Sequence, residues 1–416
     1  MIHQAYSLPS GKGDLKRVGQ ALGSSRGLLI ADASKRHQGL TLVITNNSDE
    51  AARLREEIAF FSGDSEQLLH FPDWETLPYD NFSPHQDIVS ERISTLSRLP
   101  SLKQGVLLVP IATLMHRIAP SSFMTGNSLS LDVGQTLDPE QLRQQLSDAG
   151  YHAVDSVYQH GEFAVRGAII DIFPMGSPLP YRIELFDDEI ETLRTFDPET
   201  QRSVEQINQI RLLPAREFPS DSDALNQFMS RWRALFDVDY RSCPIYQDIK
   251  SGLMPAGIEY YLPLFFEQTA TLFDYLPENC QIVFNDGLET ANKEFWQEIE
   301  SRYEQRRYDI HNPLLEPRKL FLPTDELFGE LKKRNRLLVD DALQPESAGR
   351  FNLPCQPQSD LTVDAQANNP LTLLQQFLQE RDGPVLFCAE SAGRREALLE
   401  LFGRHGLKPS EVSDWN

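Results

Sequence analysis

Cysteine is scarce in this sequence. Its four thiols, Cys243, Cys280, Cys355 and Cys388, lie far apart with no C-x-x-C pair, so neither a zinc site nor a disulfide framework is encoded. A reducing, cytoplasmic compartment is expected. Apolar runs are short as well: none reaches the ~18 residues of a membrane span, and the Met1-Ile-His-Gln-Ala-Tyr6 start lacks the features of an export signal. Basic residues are the third deficit. Lys and Arg number 39 against 61 Asp and Glu, a formal net charge of −22. That balance disfavours a general polyanion-binding module, because DNA binding needs clustered cations that displace condensed counterions. A protein is the favoured partner class. Catalytic signatures are missing too. No H-E-x-x-H, EF-hand loop or G-x-G-x-x-G occurs, and the nine histidines form no ligand-spaced cluster, so no metal and no catalytic residue is assigned. One G-x-S-x-G match, Gly23-Ser-Ser-Arg-Gly27, is read as chance. Residues 15–22 read as helix and Leu28-Leu-Ile30 as strand, the reverse of the order a nucleophile elbow needs.

What is present is the composition of an ordinary globular protein, 40% hydrophobic and 24% charged, and a length that suggests about three domains. Leu40-Thr-Leu-Val-Ile-Thr45 reads as a strand. Asn47 with Glu50 three residues on caps a helix after it that carries Leu54, Ile58 and Phe61 on one face. Gly105-Val-Leu-Leu-Val-Pro110 followed by Ile111-Ala-Thr-Leu-Met-His116 repeats the unit, which predicts a parallel α/β domain over residues 1–127. The pattern changes over residues 128–213. A helix starts at Asp138-Pro-Glu-Gln141 and closes at Gly150. Apolar runs at 163–173, 181–186 and 190–196 follow, joined by short polar or Pro/Gly connections, as in an antiparallel meander. A small α+β insert is expected there. Residues 214–350 read as helical and then α/β, the second part of the first domain, and 351–370 as a polar linker. Gly383-Pro-Val-Leu-Phe-Cys-Ala389 and a helix capped by Ser391 predict a strand and a helix that open a third, incomplete α/β domain over 371–416, and hence a fragment of a longer protein.

Alternation within the insert separates two faces. Tyr181, Ile183 and Leu185 point one way and make a core face, while Arg182, Glu184 and Phe186 point the other. A charge pair beside a large aromatic is typical of interface hot spots. Arg166, expected on the facing strand, joins that patch if the hairpin register allows. A solvated sheet face with Phe186 folded under a loop is the plain alternative. On the docking reading, Arg182 and Phe186 are expected to be dispensable for folding.

Gly161-Glu-Phe-Ala-Val-Arg-Gly-Ala-Ile-Ile-Asp-Ile-Phe-Pro174, Arg182-Ile-Glu-Leu-Phe-Asp-Asp-Glu189 and Phe196-Asp-Pro198 resemble the second domain of the UvrB family of excision-repair helicases. Gly257-Ile-Glu-Tyr260 and Leu272-Phe-Asp-Tyr-Leu-Pro277 resemble stretches beyond that insert. Within the group, Asp73-Trp-Glu-Thr-Leu-Pro-Tyr-Asp80 with Phe82-Ser-Pro-His-Gln-Asp87 is similar to the bacterial transcription-repair coupling factors. On residues alone, the Asp73–Asp80 segment reads as a packed loop anchored by Trp74 and Tyr79.

The resemblance implies a degenerate P-loop NTPase-like domain carrying an inserted UvrB domain 2-like module that binds UvrA through Arg166, Arg182, Glu184 and Phe186. One UvrB arginine of that face corresponds to Ala164 here, and the DNA-clamping hairpin of UvrB is missing. A P-loop needs G-x-x-x-x-G-K-[ST] to wrap phosphates and hold Mg²⁺. Aligning strand 40–45 with the strand after the P-loop helix puts Gln20, Ser25, Arg26 and Gly27 at the four anchors, and Asn285-Asp286 at the expected acidic pair. No cofactor is therefore expected for this chain. The parent would be an ATP-driven DNA translocase whose motor domains, outside this sequence, use ATP and Mg²⁺ and meet double-stranded DNA and RNA polymerase. The module would recruit UvrA to lesion-stalled polymerase and contact other domains of its own protein in an autoinhibited state. Two other readings are a working UvrB-like ATPase/helicase subunit and a purely structural regulator.

Overall fold

The structure, a computed structural model, describes residues 4–63, 67–357, 359–363, 367 and 369–412. It divides into two compact units, Met1–Cys355 and Gln356–Asn416. The first is built on a seven-stranded parallel sheet. In spatial order its strands are Arg350–Asn352, Leu15–Gly19, Arg336–Val339, Gln281–Phe284, Leu40–Thr45, Gly105–Pro110 and Leu68–His70. Leu40–Thr45 and Gly105–Pro110 are buried at every residue, as parallel strands covered on both faces must be. One face packs on the helices Ser25–His37 and Ser48–Ser62 through Leu29, Ile30, Leu54 and Ile58. The other, with Leu42, Ile44, Leu107 and Ile282, packs on the helices Gln86–Arg98 and Leu288–Arg306 through residues such as Ile93, Leu96 and Ile299. Asn47 caps the Ser48–Ser62 helix by accepting from Glu50 N at 2.9 Å, which satisfies one orphan donor of its first turn.

The N-terminal elements differ from their sequence reading. Leu15–Gly19 is a strand and Ser25–His37 a helix. Leu-Lys-Arg-Val-Gly has little strand character of its own, but parallel partners on both sides fix it. Leu29, Ile30 and Ala33 fall on the buried side of the helix, where 3.6-residue periodicity outweighs a short apolar run. The order around Gly23–Gly27 is therefore strand, turn, helix, so element order does not exclude a nucleophile elbow there, and the expected reversal is corrected. The Ser25 hydroxyl is instead engaged with the backbone, donating to Leu22 O.

The insert holds a six-stranded sheet in the order Ser203–Ile207, Glu189–Phe196, Tyr181–Phe186, Ile169–Ile172, Glu162–Arg166 and His152–Ala153. All neighbours are antiparallel except the last pair. The run 163–173 thus becomes two strands, turning at Gly167, whose φ of +62° lies in the left-handed region. A ribbon of Leu129–Asp132 and Gln209–Leu212 stands where the chain enters and leaves the insert. Several contacts among the described residues tie the insert and its root to the body, and these include the following. Arg92 donates to Glu217 from Nε at 2.5 Å and from Nη2 at 3.1 Å; Gly176 N donates to Ser90 Oγ at 2.8 Å; and His160 Nδ1 lies 2.7 Å from Asp87 Oδ1.

The second unit contains the helices Thr372–Glu380 and Ala392–Arg404, packed through Leu371, Leu374 and Phe402. Ser391 caps the second, accepting from Arg394 N. The strand expected over 383–389 does not form among the described residues, since an apolar run becomes a strand only beside another strand. No helix among the described residues is long and apolar enough to cross a membrane.

Candidate functional site

The two faces of the Tyr181–Phe186 strand separate by burial. Ile183 and Leu185 are buried, Arg182 and Glu184 half-buried, and Phe186 is 68% exposed. Register then assembles the polar face. Arg182 stands opposite Asp171 on one side and Arg194 on the other, Glu184 opposite Ile169 and Thr192, and Arg166 opposite Ile169. Arg166 is thus two strands from Arg182, not on its immediate neighbour. The intervening strand Ile169–Ile172 supplies Asp171, whose side chain is wholly inaccessible. Asp171 Oδ2 accepts from Arg166 Nη2 at 2.5 Å and from Arg182 Nη2 at 2.9 Å, and its Oδ1 accepts from Arg182 Nε at 2.7 Å. These bonds to Asp171 raise the pKa of the Arg182 guanidinium.

The four sequence-predicted residues contribute differently. The Arg166 side chain is 48% exposed and that of Arg182 only 16%. Arg182 also lies 4.8 Å from the ring centroid of buried Phe196 and donates to Gln201 O at 3.3 Å. Its removal would strip Asp171 of its bidentate partner and open the small core of Val157, Ala164, Phe173 and Phe196. The expectation that Arg182 is dispensable for folding is corrected accordingly. Glu184 Oε2 accepts from Thr192 Oγ1 at 2.6 Å and lies 3.8 Å from Arg194 Nη2. Asp171 and the exposed Ile169 were not identified from sequence. A lone acid inside Ile169-Ile-Asp-Ile172 was the available signal, because a charge there is stable only if paired.

A second cluster forms at the end of the Leu15–Gly19 strand. Arg26 Nη1 donates to Glu50 Oε1 at 2.8 Å, and Asn285 Nδ2 donates to the same oxygen at 2.9 Å. Glu50 Oε2 accepts from Asn46 N at 2.9 Å. Asp286 instead lies 3.5 Å from Arg17. Gln20 has a left-handed φ of +54° and donates its N–H to Ala342 O, while Ala21 N donates to Asp340 O. The Ser25 hydroxyl donates to Leu22 O at 2.7 Å. Gly27 sits where a Cβ would come within 2.4 Å of Glu57 Cβ, so helix packing demands glycine there. Arg26 and Asn285 are thus brought together by a residue read from sequence only as a helix cap, Glu50.

The Asp73–Asp80 segment is packed. Trp74 and Tyr79 are buried, with Trp74 Nε1 donating to Glu217 Oε1 at 3.3 Å and Tyr79 Oη to Leu315 O at 3.0 Å. His116 stacks edge-on against Trp74 at 4.5 Å. Burial, aided by the Arg92 charge and opposed by Asp73 and Glu217, pushes the His116 pKa down to about 4.

Residues 129–218, which contain the Arg166–Asp171–Arg182 cluster, match the family model of the UvrB interaction domain. Residues 377–416 match that of the MFD, D3 domain. The transcription-repair-coupling factor of Escherichia coli (strain K12) is 46% identical over 408 residues, 98% of this chain and 35% of that protein. That of Haemophilus influenzae is 43% identical over 407 residues, 97% of this chain and 35% of that protein. The Bacillus subtilis (strain 168) protein is 26% identical over 278 residues, 64% of this chain and 24% of that protein. The chain spans about a third of the length of its first two relatives. Two domain matches in order along the chain, with 46% and 43% identity over nearly all of it, place the chain in the transcription-repair-coupling factor family, as a UvrB-like region of such a protein.

Proposed function

We propose that this region is a recruitment module without catalysis of its own, and that its insert docks the excision-repair protein UvrA. The observation that carries the reading is the Asp171-braced face: Arg166, Ile169 and Phe186 are exposed on one side of a sheet whose other side is core. Exposed arginine and aromatic side chains on a rigid support are what interface hot spots require, and the matched domain is named for interaction. Arg182 and Glu184 act mainly as the frame of that face. A titration of UvrA against the chain tests the reading: a saturable complex lost in Phe186→Ala supports it, and no complex at micromolar concentrations refutes it.

The nucleotide reading fits the residues poorly. Arg26 is neutralised by Glu50, the amides of Gln20 and Ala21 are spent on Ala342 and Asp340, and Gly27 has no hydroxyl for Mg²⁺. We therefore assign this fold to a scaffold role, and ATP, Mg²⁺, double-stranded DNA and RNA polymerase to parts of the longer protein outside this chain. That protein is then a DNA translocase in which another domain covers the docking face at rest. UvrA binding by this chain would be tighter than by the resting full-length protein; equal affinities would remove the mask from the scheme.

A further inference from the structure

Away from the insert's sheet, a groove of about 660 Å³ lies between the last turn of the Ser222–Leu235 helix, residues 263–269 and the short helical turn Pro317–Leu320. Its lining carries Arg117, Arg231, Arg318 and Lys319 against one carboxylate, Glu267. Glu326 comes to 3.6 Å of Arg117 from outside the lining. Four cations therefore face two carboxylates in a chain whose overall charge is −22. Neutral groups hold two of the guanidiniums. Arg231 donates to Leu264 O at 2.9 Å and to Gln227 Oε1 at 3.3 Å, and Arg117 Nε donates to Arg318 O at 2.9 Å. A carbonyl fixes the direction of a guanidinium without cancelling its charge, which leaves a pre-oriented cation for an anionic group. The apolar part of the lining is also specific. Leu264 and Leu315 are buried at its base, while Leu235 is 49% exposed.

The geometry points to this groove as the docking site of an acidic peptide segment of a partner protein, one that carries an apolar side chain among its carboxylates. The carboxylates pair with Arg117, Arg231, Arg318 and Lys319, and the apolar side chain covers Leu235. Single-stranded nucleic acid fits less well. It needs free aromatic faces for its bases, and the one aromatic among the described lining residues, Phe266, is packed edge-on against Phe123 at 5.5 Å. A long polyanion also meets the field of the whole acidic chain, whereas a short segment seated in the groove feels mainly charges within a Debye length, about 10 Å at 0.1 M salt.

A displayed library of short random peptides, panned against the chain, tests the assignment without presupposing a sequence. Counter-selection uses the Arg318→Glu/Lys319→Glu double variant, whose exposed side chains can be reversed without disturbing the core. Enriched peptides should place Asp and Glu around Leu, Ile or Phe. A fluorescent copy of one should bind about tenfold or more weakly to the double variant and to Arg231→Gln, and about fivefold more weakly to Leu235→Ser. Its affinity for Phe186→Ala should be unchanged, which separates this groove from the UvrA face. Enrichment of sequences without the acidic-apolar pattern, or equal binding to the charge-reversed variant, would overturn the proposal. So would a labelled single-stranded oligonucleotide that binds more tightly than the peptide and shows the same variant sensitivity.

Discussion

Replacing Asp171 by Asn keeps the size of the side chain and removes the charge that Arg166 and Arg182 share. Three charge-assisted hydrogen bonds end on this carboxylate, at 2.5, 2.7 and 2.9 Å. Asparagine retains one acceptor oxygen, enough for Arg182 Nε, but its NH₂ then meets guanidinium donors. Breaking a buried ion pair costs about 3–5 kcal/mol. The retained acceptor and the half-exposed state of Arg166 reduce that, so a stability loss of about 2–3 kcal/mol is expected. Docking suffers through a separate route. With the brace gone, the half-exposed Arg166 regains rotamer freedom that must be lost again on binding, at about 0.5–1.5 kcal/mol, whereas Arg182 stays held by Gln201 O and Phe196. The expected penalty is therefore a roughly 2- to 13-fold weaker UvrA complex.

Urea unfolding reads the first quantity and calorimetric titration with UvrA, under conditions where the variant remains folded, reads the second. A double-mutant cycle sharpens the test: in an Arg182→Ala background, Asp171→Asn should cost far less stability, because the main partner of the carboxylate is already absent. Wild-type affinity for UvrA in a folded Asp171→Asn protein would refute the positioning role. Full additivity with Arg182→Ala would show that the two residues act independently.

Phe186→Ala should weaken the UvrA complex by about 2 kcal/mol or more, roughly thirtyfold, with an unchanged urea midpoint, whereas Ile183→Ala should cost about 2 kcal/mol or more of stability through cavity formation. Equilibrium dialysis with Mg·ATP should show no stoichiometric binding at micromolar nucleotide, and binding that disappears in Arg26→Ala would restore the ATPase reading. His116 should make the fold acid-sensitive: with its pKa near 4 when folded and 6.5 as its ordinary value, the unfolded chain binds the extra proton between those limits. This contribution is fully present above about pH 6.5 and is lost as pH falls toward 4, by ~3 kcal/mol at most; urea midpoints on either side of that window should converge in His116→Phe.

How much of this the sequence disclosed depended on whether a feature is local. Leu40–Thr45 and Gly105–Pro110 were legible because strands buried on both faces read as unbroken apolar runs. The insert's faces were legible because Ile183 and Leu185 alternate with Arg182 and Glu184, and caps such as Asn47 and Asp138 announce themselves within four residues. Leu15–Gly19 was not, since its strand state comes from neighbours more than 300 residues away in sequence. Asp171 escaped for the same reason: its partners follow from the register of two hairpins, and a slip of one residue would put it in the core. Glu50 reads as a cap and is one in backbone terms, yet its carboxylate joins Arg26 and Asn285, the latter 235 positions along the chain.

The buried pair Arg92–Glu217 connects these observations. Arg92 is wholly buried, donates to Glu217 through two nitrogens and to Pro72 O through the third, and lies 4.1 Å from the ring centroid of Phe71. Such a pair adds little net stability over apolar residues of the same volume. It does impose direction, because a guanidinium fork satisfied at every nitrogen tolerates few orientations of its carboxylate. Glu217 lies at the end of the region matched as the interaction domain, and the Trp74 indole donates to the same carboxylate. Within the Asp73–Asp80 segment, Trp74 is thereby packed at the root of the insert, while Glu75 and Leu77 of the same segment are exposed. A docking face braced internally by Asp171 gains specificity only if the whole insert is also held in place. The body of the domain supplies that second level of rigidity through the packing around Arg92.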